Sequence, residues 1–255
     1  MKVTVCAIAK NEDKYINDFC RYYLSLGFDE IHLYDNNESG NLADKCPKDS
    51  RIKVHPLHDR KVCAQQYAYN TYLADGKFDW CAFIDIDEFI TLNGFADIHD
   101  FITSFDSKVN CIRLFEKVYG DDGLIEPVDA SVPVYERIKT VSEKYKWSMC
   151  KNIVKKTTGL KIVHPHLVRG DKLNLADADH TVPSNPIIYR IEKYGMKEGG
   201  AYIRHFKTKT LAEFCEQKLN TGRVFRPDEK RTSDYYFEVN EETPEKLAYI
   251  KKYSK

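Results

Sequence analysis

Apolar and polar positions along the first half of this chain repeat with two different periods. Residues 3–9 form an apolar run of strand length, and Tyr15, Ile16, Phe19, Cys20, Tyr23 and Leu26 then recur at helical spacing until Gly27. Between them, Asn11-Glu12-Asp13 supplies a helix cap and first-turn acids. The pattern predicts further strands at 30–34, 51–55, 78–84 and 110–115. It predicts helices at 63–73, with Ala64, Tyr67, Ala68 and Thr71 on one side, and at 95–105, with Ile98, Phe101, Ile102 and Phe105 as the apolar face. Strands alternating with helices predict an α/β fold with a mostly parallel sheet flanked by helices. Ligands of such sheets sit beyond the carboxyl ends of the strands.

After residue 116 the pattern loosens. Gly120-Asp121-Asp122-Gly123 reads as a turn and 127–133 as irregular, with short strands at 151–156 and 160–166 and a loop at 177–186. Leu211, Phe214, Cys215 and Leu219 predict one more helix, and 244–255 is a short basic amphipathic stretch. No repeat, low-complexity segment or linker interrupts the chain, so one domain is expected over 1–255, its irregular part wrapping the sheet.

The most distinctive stretch is Trp80-Cys81-Ala82-Phe83-Ile84-Asp85-Ile86-Asp87-Glu88-Phe89-Ile90, an apolar strand that ends in three carboxylates. Side chains alternate along a strand, so Asp85 and Asp87 share one side while Glu88 alternates away and is expected to fix the loop. Adjacent carboxylates repel, and a hard divalent cation with oxygen ligands offsets that repulsion, usually together with a phosphate group. Lys10-Asn11-Glu12, Asp35-Asn36-Asn37 and Asp85-Ile86-Asp87 follow the first, second and fourth strands and converge on one rim. The ordinary alternatives are Asn11 as a helix cap and Asn36-Asn37 as a turn.

Composition narrows the partners. Lys plus Arg and Asp plus Glu number 39 each among 255 residues, which argues against bulk electrostatic binding to nucleic acid. Residues 79–106 are acid-rich and 139–172 are rich in Lys, a split that suits an anionic substrate. Eight cysteines (Cys6, Cys20, Cys46, Cys63, Cys81, Cys111, Cys150 and Cys215) form no CxxC pair. Their spacing predicts buried free thiols in a reducing compartment, not a zinc cluster or a disulfide framework. The first strand opens at Lys2 and no apolar run approaches the ~20 residues of a membrane span, so a cytoplasmic chain is expected. Leu247, Tyr249, Ile250 and Tyr253 among Lys246, Lys251, Lys252 and Lys255 predict a C-terminal helix packed on the body, with peripheral contact to the inner face of the cell membrane as the alternative.

With these residues placed, the chain resembles the GT-A glycosyltransferases, and more narrowly the glycosyltransferase family 2-like and family 92 group. Four segments carry the match: Ala7-Ile8-Ala9-Lys10-Asn11-Glu12, Tyr34-Asp35-Asn36-Asn37-Glu38-Ser39, the stretch from Trp80 to Ile90, and Arg204-His205-Phe206-Lys207-Thr208-Lys209-Thr210. Gln65 matches a glutamine usual between the second and third. Departures are Phe206 where Tyr is usual, Thr210 where Ser is usual, and the acidic Asp121-Asp122 in a turn that is often neutral.

The resemblance implies a GT-A, Rossmann-like fold, with residues 1–116 as the nucleotide-sugar-binding half, 117–222 as the acceptor half and 223–255 as a tail. It implies inverting transfer of a hexose from a UDP-sugar, UDP-galactose first, with Mn2+ or Mg2+. The acceptor would be a glycan or lipid-linked glycan, in bacterial surface polysaccharide assembly. By the same resemblance the backbone of Ala7 and Ile8, with Asn11, Glu12 and Gln65, would line the nucleotide, and Asp35 would hydrogen-bond uracil or ribose. Asp85 would contact ribose or metal, Asp87 would bind the metal, and His205 would be a third metal ligand, with a structural histidine as the alternative. Lys207 and Lys209 would neutralise the leaving group.

Transfer also needs a general base facing the acceptor. Asp121 and Asp122 follow the fifth strand on the rim of Asp87 and are the first candidates, with Asp177, Asp179 and His180 second. Two rival readings stand beside this one. A haloacid-dehalogenase-type phosphatase also uses D-x-D, but normally on the first strand and followed by Thr or Val rather than Glu88-Phe89. A non-catalytic nucleotide-sugar-binding module would keep the fold without turnover.

Overall fold

The computed structural model describes residues 1–57, 60–193, 199–223 and 226–253. Of the expected tail, residues 224, 225, 254 and 255 lie outside the described ones. The first half holds the expected elements: β1 (Val3–Ala9), α1 (Ile16–Ser25), β2 (Glu30–Asp35), β3 (Ile52–Pro56), α2 (Ala64–Asp75) and β4 (Trp80–Phe83), but α2 buries Tyr69, Tyr72 and Leu73 with Ala64 and Ala68, and the expected Tyr67 is exposed. Then come β5 (Glu88–Leu92), α3 (Ile98–Thr103), β6 (Cys111–Val118), α4 (Val134–Arg137), β7 (Trp147–Lys155), β8 (Lys161–His164), β9 (Leu167–Arg169), β10 (Leu175–Asp177), β11 (Arg190–Glu192) and β12 (Ala201–His205). Helices α5 (Leu211–Gln217), α6 (Ser233–Phe237) and α7 (Pro244–Lys251) close the chain.

The main sheet runs β3-β2-β1-β4-β7-β6-β12-β5, with β10 added to β6 and β11 to β7. β3, β2, β1 and β4 are parallel, as the alternation of strands and helices requires. Beyond them the sheet is mixed: β7 pairs antiparallel with both β4 and β6, and β5 antiparallel with β12. The second half thus does more than wrap the sheet. It supplies the strands that satisfy the buried backbone edge of β4, which a parallel run ending there would leave unpaired.

Strand alternation divides the core into two layers. Val3, Val5, Ala7 and Ala9 face α1 and α3 through Phe19, Tyr23 and Phe101. Cys6 faces the other way, with Tyr69 and Tyr72 of α2 and Phe83. Leu211, Phe214, Tyr236, Phe237 and Ile250 form a separate cluster that ties α5, α6 and α7 together. Tail helix α7 packs on that cluster through Ile250, with Lys246 also buried. Among the described residues no helix is long and apolar enough to cross a membrane. Six of the eight cysteines are buried free thiols, while Cys46 is half-buried and Cys63 exposed.

Candidate active site

The chain leaves the sheet after Phe83 and re-enters it as β5 on the far edge, so Asp85 and Asp87 sit in a short crossing between two strands. Each carboxylate has an ammonium against it. Lys151 Nζ, carried mid-strand on β7, lies 2.8 Å from Asp85 Oδ2 and 3.5 Å from Glu88 Oε2. Asp85 Oδ1 also accepts from the Gln65 amide and from Tyr69 OH, the latter at 3.2 Å. Lys218 Nζ lies 2.7 Å from Asp87 Oδ2. Burial alone would raise the Asp87 carboxyl, but Lys218 and then His205 overcome it and hold it well below the usual carboxylate range. Burial and Lys151 act in the same opposed way on Asp85, with a net lowering. Glu88 is fully buried and accepts from the Asp85 amide at 3.0 Å, fixing the loop as its alternation predicts. Burial pushes it up to about 8 despite Lys151.

His205 ends β12, in register with Val118 of β6 on one side and Glu88 of β5 on the other. Its Nδ1 is 2.6 Å from Glu116 Oε2, and its Nε2 is 3.6 Å from Asp87 Oδ1. Burial would lower the imidazole, yet Glu116 and Asp87 hold it well above its ordinary value. A histidine that gives Nδ1–H to a carboxylate is oriented to ligate through Nε2. The donor set of Asp87 and His205 Nε2, backed by Glu116, therefore fits a divalent cation. Glu88, Glu116 and His205 also cluster within 4.8 Å, all buried. In that cluster Glu88 is already engaged by the Asp85 amide at 3.0 Å and faces Lys151 at 3.5 Å, so it supports the loop that carries Asp85 and Asp87.

In front of these groups lies a cleft of about 490 Å³, within the range of small-molecule sites. Ile8, Ala64 and Ile86 give it apolar surface. Around them stand Glu12, Asp85 and Asp87 and five cations: Lys10, Arg60, Lys61, Lys218 and Arg231. The excess of positive charge suits an anion. Local turns set the rim: Asn11 adopts a left-handed φ of 60° and gives its amide to Asn37 Oδ1 at 2.7 Å. Asn36 holds the Arg60 backbone in both directions, accepting at 2.7 Å and donating at 3.0 Å.

Of the residues expected from sequence, Ile8, Asn11, Glu12, Gln65, Asp85 and Asp87 line the cleft, and His205 stands against Asp87. Others do not. Ala7 is fully buried in the core layer under the rim. Asp35 is spent on the turn, its oxygens accepting from the amides of Asn37 and Leu42 at 3.0 Å each, and Asn36 lines the cleft in its place. Asp85, within the cleft, has both oxygens held by protein donors, Gln65 and Tyr69 on Oδ1 and Lys151 on Oδ2. Lys207 turns its ammonium onto the Tyr145 ring at 4.0 Å and the Tyr235 ring at 4.7 Å, and only its carbonyl reaches Lys218. Lys209 lies 3.7 Å from Glu12.

The candidate bases also lie elsewhere. Asp121 is buried against Lys246 Nζ at 2.5 Å and Tyr236 OH, where it fastens α6 and α7 to the body. Asp122, at φ 52°, accepts from the amides of Lys139 and Thr140. Asp177 pairs with Arg113 at 2.6 Å, and His180 stacks on Phe105 at 4.1 Å. None of these, nor Asp179, lines the cleft.

Lys218, Arg231, Arg60, Lys61, Lys151 and Glu116 escaped the sequence reading. Lys151 carried a signal, a charge inside the apolar strand Cys150-Lys151-Asn152-Ile153-Val154. Lys218 and Arg231 carried none, because a lysine after a helix and an arginine in a polar stretch are ordinary surface residues.

Fold and cleft together define an α/β protein with a basic cleft lined by Asp85 and Asp87 and backed by the His205–Glu116 pair. Residues 1–246 match the family model of Glycosyltransferase family 92, and the chain belongs to that family. A glycosyltransferase family 92 protein of Ricinus communis is 23% identical over 186 residues, 70% of this chain and 33% of that protein. Another, of Oryza sativa subsp. japonica, is 24% identical over 108 residues, 41% of this chain and 18% of that one. The chain thus spans 33% or less of the length of these curated relatives. Among solved structures, S. aureus TarS 1-349 in complex with UDP-GlcNAc is similar at TM-score 0.36 and 20% identity, over 50% of this chain and 37% of that one. The mannosyltransferase PcManGT from Pyrobaculum calidifontis, in complex with GDP-Man and Mn2+, is similar at TM-score 0.35 and 15% identity, over 51% and 37%.

Proposed function

We propose that this chain is a metal-dependent, inverting glycosyltransferase that moves a hexose from a UDP-sugar, UDP-galactose first, to a glycan or lipid-linked glycan acceptor. The setting proposed is bacterial surface polysaccharide assembly in the cytoplasm. One observation carries the reading: the cleft sets Asp87, with His205 against it at 3.6 Å, among Lys10, Arg60, Lys61, Lys218 and Arg231. Family membership supports it.

In this reading the apolar surface of Ile8 and Ala64, with Asn36 at the rim, receives the nucleoside. Asp85, held by Lys151, Gln65 and Tyr69, is positioned to accept from ribose hydroxyls. Asp87 and His205 Nε2 would hold a divalent cation, which supplies Lewis-acid stabilisation to the departing diphosphate. Glu116 keeps the His205 tautomer fixed for that task. Lys218 and Arg231 add positive charge where the leaving group gains negative charge.

The test is a screen of UDP- and GDP-sugars for donor hydrolysis with Mn2+ present. Release of hexose from one UDP-sugar, lost in Asp87→Ala with the fold retained, is the expected result. No release from any nucleotide sugar, with UDP still bound, would favour a binding module without turnover.

A further inference from the structure

The ammonium of Lys218 is bound to Asp87, the carboxylate that the cation reading assigns to a metal, on Oδ2, while His205 Nε2 faces Oδ1. Lys218 is the C-cap of α5, and the start of that helix is firmly fixed. Thr210 and Glu213 form a capping box, and Glu213 is clamped by Arg137 and by Tyr15 OH. The Lys218 backbone is held at both ends of the cap: its amide bonds Phe214 O at 2.8 Å, and its carbonyl accepts from Thr221 Oγ1 at 2.7 Å. Only the flexible side chain is left to move. Its Nζ divides two bonds of 2.7 Å between Asp87 Oδ2 and the Lys207 carbonyl, inside the cleft.

A carboxylate that already holds an ammonium this closely is a poor ligand for a free dication, because the two positive charges would share one buried anion. The same lysine can instead bond phosphate oxygens once a diphosphate enters. Its two present partners are a carboxylate and a carbonyl, and phosphate offers acceptors of the first kind. We infer that Lys218 is a built-in counter-ion of Asp87, released to the diphosphate when the donor arrives, so that Asp87 accepts a divalent cation only together with a nucleotide. This rests on the reading of Asp87 and His205 as the cation ligands. Its consequence is a thermodynamic coupling: UDP raises cation affinity, and the cation raises UDP affinity by the same factor.

Calorimetry of Mn2+ alone, UDP alone, and Mn2+ with UDP saturating, on wild type, Lys218→Met and Lys218→Arg, tests the inference without turnover. Lys218→Met is expected to bind Mn2+ alone at least tenfold tighter than wild type, with the UDP-induced gain reduced at least tenfold. Lys218→Arg keeps the charge and is expected to follow wild type. If Lys218→Met misfolds, Lys218→Gln takes its place, with coincident thermal melts as the fold check. Mn2+ affinity in the neutral variant equal to or weaker than wild type overturns the inference. Asp87→Asn added to the neutral variant separates the two layers. Loss of Mn2+ binding there upholds the cation position, and Mn2+ binding as tight as in the single variant shows that the ligand reading, and the inference built on it, is wrong.

Discussion

Asp121→Asn distinguishes a structural carboxylate from a general base. Asp121, Lys246 and Tyr236 are 5%, 3% and 0% exposed, and Asp121 also accepts from the Gly123 amide at 2.9 Å. An asparagine keeps its one acceptor for the Gly123 amide, turns an NH2 toward Tyr236 OH, and leaves the Lys246 ammonium with the Glu241 carbonyl at 3.1 Å. Breaking a buried ion pair by removing one partner costs about 3–5 kcal/mol. In a chain of this length that is a fall in Tm of about 6–20 °C. Removal of a general base instead slows turnover roughly 10²–10⁴-fold with little effect on stability. Urea unfolding at neutral pH, with donor turnover measured well below either melt, reads both quantities. The structure predicts the stability loss with turnover within about threefold of wild type, since Asp121 does not line the cleft. A stability change under about 1 kcal/mol with turnover down a hundredfold or more would refute the reasoning.

Two further variants probe the supports of the cleft. Burial would raise Glu213, but Arg137 overrides it and the carboxyl falls to about 2. Its stabilisation is therefore present above the unfolded value, about 4.5, and lost as pH falls through the folded one. Glu213→Gln should be less stable than wild type by about 3 kcal/mol at pH ~6, with the gap about 2 kcal/mol smaller at pH ~3; a gap that does not change between the two in urea titrations contradicts the assignment. Glu116→Gln keeps an acceptor for His205 Nδ1–H but removes the charge 2.6 Å away. Metal affinity, read as Mn2+-dependent UDP binding, should fall about 10–100-fold, and unchanged binding would remove Glu116 from the site.

The parts of the molecule legible in the sequence were those where one strand or helix decides the outcome. Short apolar runs gave β1, β2 and β4 because parallel strands buried on both faces read as apolar blocks, and helical spacing gave α1. The rim of Asn11, Glu12, Asp85 and Asp87 followed from where those strands end. Partner choice was less legible. Asp35, Asp121 and Asp122 are acidic residues in turns on the expected rim, and nothing in the sequence shows that backbone amides or Lys246 already satisfy them. Lys218 reaches Asp87 across 131 positions of chain, and Glu116 meets His205 across 89, so both contacts exist only once the mixed half of the sheet is assembled. The antiparallel insertion of β7 was hidden for the same reason: strand pairing over long separations leaves no periodic trace.

The most direct measurement is a calorimetric titration of UDP into wild type and Asp87→Asn, each with Mn2+ and with a chelator. The account predicts that Mn2+ tightens UDP binding to wild type by at least about tenfold, and that Asp87→Asn, folded and still binding UDP weakly through the basic rim, loses the whole of that gain. Equal UDP affinity with Mn2+ and with chelator in wild type, or a gain that survives in Asp87→Asn, would contradict it.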